Sequence, residues 1–485
     1  MQALLSFFQQ ELKPAQHRKL LLFLGHFTFL VMGILSLVYF KERTCHFDSA
    51  NYAFHMIFTD EHYTGHNRYI NYVPQLLPML LQDWGASLKT ILMTYSFNFV
   101  FQMYLVFLLI AYCFKNPLGG LFLALAITLA VRYKFYAPVG EVRQGIVIIA
   151  LIMGWLMSEG YQAEGRRLLK VGFAAVLSSI MLVVHPFPMS TLGLVWMAWM
   201  IYTQRWKIWQ EWLLPVAWAI MWGIKFGAKG SGTSYEQGRA EALFDTFKVI
   251  GNLSDYYIWD RFQWYFRAHY TLTAVLFVGA LIYLCYKKKW ITTLWIVLSF
   301  VIMSVLILSL NAYLNAPIYL ITDGYMAHLG VIMAIGFVLS LGRNRQLWAA
   351  MVFMILLGFS LDRIRGSHEF FSNREDLLMG MIERNATPEA PKLLAHMEGY
   401  DWKRLWHPWA VGLETLMLTH LNTPGAPKTM YFQQHHEKWA EEKLADPKLY
   451  LGLHYGPEFF KAKDAPQVLS IPDGVYKKID VKGTY

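Results

Sequence analysis

Three acidic residues, Asp48, Asp60 and Glu61, lie in one amphipathic stretch, Lys41 to Ser87, hung between two apolar runs. A carboxylate held at a membrane exit is suited to take a proton from a hydroxyl or amine, so these residues are the first candidates for chemistry. Asp48 directly precedes a helical pattern and is equally placed to cap it by accepting backbone N–H groups. Asp60 and Glu61 are adjacent, and neighbours on a regular element do not share a face, so only one of them can look into a given pocket. His46, His55, His62 and His66 stand among these carboxylates, and imidazole with carboxylate suits Zn or Mn, which keeps a divalent metal open as a cofactor. Their spacing matches no compact ligand motif.

The elements that must position these groups follow from periodicity. Ala50, Ala53, Phe54, Ile57 and Phe58 recur at helical spacing, and Ile70, Val73, Leu77, Leu80, Leu81 and Trp84 form a second stripe, with Pro74 and Pro78 confined to its first turns or kinking it. The pattern predicts two interfacial helices that bracket the polar tract from Asp60 to Arg68.

The whole chain has 485 residues, of which 56% are hydrophobic and 16% charged. Ordinary soluble domains carry roughly 25% charged residues, so a soluble enzyme is excluded. The apolar residues fall in blocks separated by short charged tracts, as in a polytopic α-helical membrane protein. An uncleaved first span runs from Leu20 to Phe40; ten more are predicted at about 90–114, 118–132, 145–158, 168–184, 188–203, 212–227, 270–286, 290–310, 317–341 and 346–361. With the N-terminus cytoplasmic, each inner connection of this eleven-span layout carries a basic residue, from Lys13, Arg18 and Lys19 to Arg343 and Arg345. The net charge of +10 is spread over span ends rather than gathered in one patch, so it reports orientation and not nucleic acid. Cys45, Cys113 and Cys285 are too few for a disulfide framework.

The chain divides into a membrane domain, 1–361, whose large outer loops are 41–87 and 228–269, and a polar C-terminal segment, 362–485, on the same outer side as the first loop. In that segment Asn373 to Leu421 alternates helical patterns with proline breaks, while Lys428–Gln433 and Gln467–Ile471 read as short strands, predicting a small mixed α/β module. The run Tyr400 to Trp409 sets aromatics beside cations, which suits a sugar platform or a membrane interface.

In this layout the chain resembles the GT-C superfamily of integral-membrane glycosyltransferases, which use polyprenyl-phosphate-linked sugar donors. The resemblance rests on the long loop after the first span, with Phe47-Asp48-Ser49-Ala50-Asn51-Tyr52 at the membrane exit, the two stripes after it, the many spans and the outer C-terminal domain. It implies that Asp48 is the base of an inverting transfer on the outer face of the plasma (inner) membrane, to a glycan, lipid or protein acceptor. Family members often carry an acidic pair there, whereas here Ser49 follows, which leaves a role for Asp60 or Glu61.

Cations must then stabilise the departing phosphate, and those at predicted outer membrane ends are the candidates: Arg143, then Lys225 and Lys229, with Arg239, Arg267 and His269 later in that loop. Glu141, His185, Asp323 and Tyr325 are further residues placed to face the same cavity. Lys229 lies among Gly227, Gly230 and Gly232, but the tract lacks the spacing of a nucleotide-binding loop. Two other classes compete. A lipid or polysaccharide transporter predicts ionisable residues near mid-span and matching halves, and a membrane scaffold predicts a partner-binding outer domain with Asp48 as a mere cap.

Overall fold

The computed structural model describes residues 10–65, 69–163, 165–184, 187–227, 246–312, 319–396, 405, 408–433, 444–452, 459–461 and 468–480. Helix α1, Pro14–Val38, comes first and leads through the short α2, Phe40–Thr44, into α3, Phe47–Thr59. After α4, Tyr72–Asp83, come α5 (Leu88–Leu108), α6 (Pro117–Ala126), α7 (Glu141–Leu156), α8 (Arg167–Ser179), α9 (Phe187–Tyr202) and α10 (Leu213–Gly227). The second half holds α11 (Tyr257–Tyr265), α12 (Thr271–Tyr286), α13 (Trp290–Asn311), α14 (Tyr319–Leu341) and α15 (Leu347–Gly366).

A helix therefore stands in each of the expected apolar intervals, yet six helical stretches are long and apolar enough to cross a membrane among the described residues. The shortfall is geometric. At 1.5 Å per residue a ten-residue helix such as α6 spans about 15 Å, half of a hydrocarbon core. Helix α6 is also enclosed by its neighbours, with every residue from Gly119 to Ala126 buried, whereas α8 and α10 turn Leu169, Val176, Val216 and Ile220 outward. Helix α14 is the axis of the bundle, with 94% of its most apolar window buried, against 28% for the stretch Tyr257–Tyr286, which turns Val275, Val278 and Ile282 outward. Close approach is local and specific; Gly25 and Gly120 face the Phe107 ring, and a Cβ at either would collide with it.

The first loop departs from the sequence reading in one respect. Helix α3 forms where expected, but its apolar side is covered by protein rather than left open. Ala50, Ala53, Phe54, Met56 and Ile57 are wholly buried in a core shared with Ile91, Leu92 and Tyr95 of α5 and with Leu413, Leu416 and Met417. Helix α4 does present its apolar residues outward, with Leu76, Leu80 and Trp84 exposed.

The C-terminal segment is joined to the bundle by α16, Glu369–Asn385. Its sheet is parallel, in the order β2-β1-β5, from β1 (Lys392–His396), β2 (Thr429–Gln433) and β5 (Tyr476–Ile479), and α17 (Val411–Asn422) packs against it. An antiparallel pair, β3 (Leu449–Leu451) with β4 (Phe459–Lys461), stands apart. The strand expected at 428–433 is present. The one expected at Gln467–Ile471 is not among the described residues 468–471, where Leu469 and Ile471 are buried as an irregular segment. Strand β1 lies inside the region expected to be helical; its Leu393, Leu394 and Ala395 are buried on both faces, which gives a continuous apolar run rather than alternation.

Candidate functional site

The segment 127–140, between α6 and α7, is the centre of the site. Irregular backbone with buried amides needs partners, and Asp323 of α14 supplies them. Its Oδ2 accepts the N–H of Arg132 at 3.2 Å and of Lys134 at 2.6 Å, and its Oδ1 accepts the Tyr270 hydroxyl at 3.3 Å. Asp323 is fully buried.

Cations gather around this one carboxylate. Arg363 of α15 donates to the carbonyls of Thr128 (2.8 Å), Leu129 (2.7 Å) and His269 (3.3 Å) and lies 4.6 Å over the Tyr270 ring. Arg143 of α7 donates from Nη1 to the Lys134 carbonyl at 3.3 Å, and Lys134 Nζ donates to the Val139 carbonyl at 2.7 Å. Arg132 covers Tyr133 at 4.1 Å and Trp264 at 5.4 Å. Arg43 of α2 donates to the Phe135 carbonyl and, from Nε, to Ser96 Oγ at 2.8 Å. Arg43 and Arg143 both address the Phe135 ring, at 4.1 and 5.5 Å. Burial, and then the proximity of Arg143, holds the Arg43 guanidinium well below the usual arginine range.

The donors are not used up. Arg132 Nη1, Arg143 Nε and Nη2, and Arg363 Nε are buried without a hydrogen-bond acceptor, and none of the three guanidiniums pairs with a carboxylate among the described residues. Buried polar groups are normally satisfied, and unpaired buried charge is costly. Such an arrangement is able to accept an anion, and planar guanidinium forks match phosphate oxygens in geometry.

Arg143 and Asp323 are thus brought together, and His269 joins them. Its carbonyl accepts from Arg363, its ring stands 4.6 Å from Trp264, and its Nε2 is buried without a partner. Tyr325 is buried against Phe187, and Arg267 is exposed and donates to Gln263 at 2.8 Å. Asp60 ends α3 in the left-handed conformation and accepts from Gln82 Nε2 at 3.0 Å, with Glu61 exposed beside it. Lys229, Arg239 and His185, and the side chains of Glu141 and Lys225, lie outside the described residues. No group of three or more His, Cys, Asp or Glu side chains converges as metal ligands among the described residues.

Asp48 is exposed in the first turn of α3, and the N-cap is His46. The cap reading is corrected here: the carboxylate lies inside the helix, where a first-turn negative charge is favoured by the helix dipole. What caps the backbone is remote in sequence. Glu414 of α17 accepts the Phe47 N–H at 2.8 Å, and its other oxygen accepts Arg374 Nε at 2.9 Å and Nη2 at 2.7 Å. Phe47, at φ 51°, places its ring 6.1 Å from Phe371, which in turn meets Tyr136 at 5.5 Å and Tyr133 at 6.5 Å. An aromatic wall thus joins the start of α3 to the cationic segment.

Burial pushes the Glu414 carboxyl up, but Arg374, His46 and the Phe47 amide together outweigh it and hold the group below its ordinary 4.5. A depressed carboxyl contributes stability above its unfolded value and loses it as pH falls through the folded one. Glu414→Gln should therefore cost about 3 kcal/mol at neutral pH, and the variant should show a flatter acid limb than wild type in thermal unfolding followed from pH 7 downward.

Arg43, Arg132, Arg363 and Glu414 were not singled out from sequence. Arg132 and Arg363 sit at the boundaries of apolar runs, where a cation also reads as an orientation signal. No family model matches the chain, and no curated protein or solved structure is significantly similar to it.

Proposed function

We propose that the chain is a membrane glycosyltransferase that moves a sugar from a polyprenyl-phosphate-linked donor to a glycan, lipid or protein acceptor. The observation that carries this reading is the set of buried, acceptor-free N–H groups on Arg132, Arg143 and Arg363 around Asp323. A lipid-linked phosphate entering between helices would satisfy them, and its negative charge would grow as the sugar leaves. Asp48, at the loop end of the aromatic wall, is the base that takes the acceptor's proton. In this reading the six long helices and the shorter apolar ones make up an eleven-span layout in the plasma (inner) membrane. The N-terminus is cytoplasmic, and the C-terminal module and first loop stand outside, where such donors present their sugars.

The test is transfer from a radiolabelled polyprenyl-phosphate sugar by purified protein to membrane acceptors. Asp48→Asn is expected to lower transfer by about 10²- to 10⁴-fold with donor binding unchanged. Undiminished transfer would remove Asp48 from the role of base, and a wild-type protein that transfers from no such donor would overturn the reading itself.

A further inference from the structure

The opposite end of the bundle carries a second site. The start of α13 lies at the far end from Asp323: Tyr283, near the end of α12, accepts from Asn344 just beyond α14, so the two regions are separated by about 27 Å along that helix. There a cavity of about 720 Å³ is lined by Lys207 and the run Lys287–Lys289, with Trp206, Trp212 and Trp290.

The lysines are held in place. Lys288 adopts the left-handed conformation at φ 58°, and the turn is closed by the Lys288 N–H to the Cys285 carbonyl at 2.8 Å and the Lys289 N–H to the Leu284 carbonyl at 2.9 Å. Their ammonium groups rest on rings: Lys207 is 5.6 Å from Trp206, Lys287 is 5.3 Å from Tyr283 and Lys289 is 4.9 Å from Tyr202. None of the four pairs with a carboxylate among the described residues. The acid nearest in sequence, Glu211, is fully buried and already engaged by Tyr161, Arg167 (3.4 Å) and Arg205 (2.9 Å). Trp206 and Trp290 are 49% and 63% exposed, as rings at a headgroup layer are.

We infer that this cavity binds the headgroup of an anionic glycerophospholipid, with the lysines around the phosphodiester and the tryptophans along the glycerol and upper acyl chains. Ammonium charges without counter-ions attract such a headgroup, and the indole rings favour a ligand continuous with the bilayer over a free ion. The inference is independent of the transfer reaction.

Native mass spectrometry of the full chain, released from micelles holding equal amounts of phosphatidylglycerol and phosphatidylcholine with the same acyl chains, tests it. Wild type should retain phosphatidylglycerol in preference, and Lys288→Gln with Lys289→Gln should lower that retention about fivefold for each lysine. Because lysines here also set orientation in the membrane, Trp206→Ala with Trp290→Ala provides a variant with every charge intact, expected to lose roughly threefold. Equal retention of the two lipids by wild type, or both variants behaving as wild type, would overturn the inference. Displacement of bound phosphatidylglycerol by excess inorganic phosphate would also overturn it, assigning the cavity to a free anion.

Discussion

Arg143→Ala is expected to reduce transfer from a polyprenyl-phosphate donor by about 10²- to 10³-fold, the effect of removing one pre-placed donor from a site where negative charge develops. The fold should tolerate the change. Arg143 is buried yet makes one hydrogen bond, at 3.3 Å to the Lys134 carbonyl, so truncation removes an unpaired charge along with its packing. Arg143→Lys keeps the charge and loses the fork, and should recover part of the rate. The distinguishing measurement is thermal: a phosphate-bearing lipid should raise the unfolding temperature of wild type and not of Arg143→Ala. An Arg143→Ala protein that transfers at the wild-type rate would mean that the cluster serves another purpose.

Asp323→Ala should act in the opposite register, costing about 3–5 kcal/mol of stability. It removes the acceptor of two backbone amides and one hydroxyl, and takes away the carboxylate nearest Arg143 and Arg363 among the described residues. Asp323→Asn is expected to fare little better, since both carboxylate oxygens accept hydrogen bonds and an amide presents N–H in place of one of them. Unfolding in nanodiscs, followed by heat or denaturant, reads the difference. Loss of stability with Asp323→Ala and its preservation with Arg143→Ala would separate the carboxylate that builds the segment from the cation left over for a ligand.

The class of fold was legible because hydropathy is a local property, and helices such as α5, α12 and α13 are apolar on every side. Membrane crossing was less so. Helix α6 has the composition of a span and the length of half of one, and composition does not report length. The first loop shows the same limit from another side: α3 has the stripe of a surface helix, and the partner that buries it, α17, lies more than 350 residues later. Strand β1 carries three consecutive apolar residues, Leu393 to Ala395, with both faces covered, and a short apolar run does not distinguish strand from helix. In the candidate site, Arg143 and Asp323 were legible as ionisable groups near membrane depth. Arg132 and Arg363 were not, because what marks them is the absence of a partner for their N–H groups, a property of three dimensions.

Helices α15 and α16 form one nearly continuous rod, interrupted at Ser367 and His368. Arg363, which grips the 127–140 segment, and Arg374, which grips Glu414, are eleven positions apart on it, about 16 Å along its length. This rod ties the C-terminal module to the 127–140 segment through two arginine contacts. If the rod moves as one body, a displacement of the module carries Arg363 with it, and an anion bound among the arginines would then be linked to the position of the module. On the proposed function, binding of acceptor and donor would then be coupled, and a flexible linker inserted at Ser367 would make the two independent.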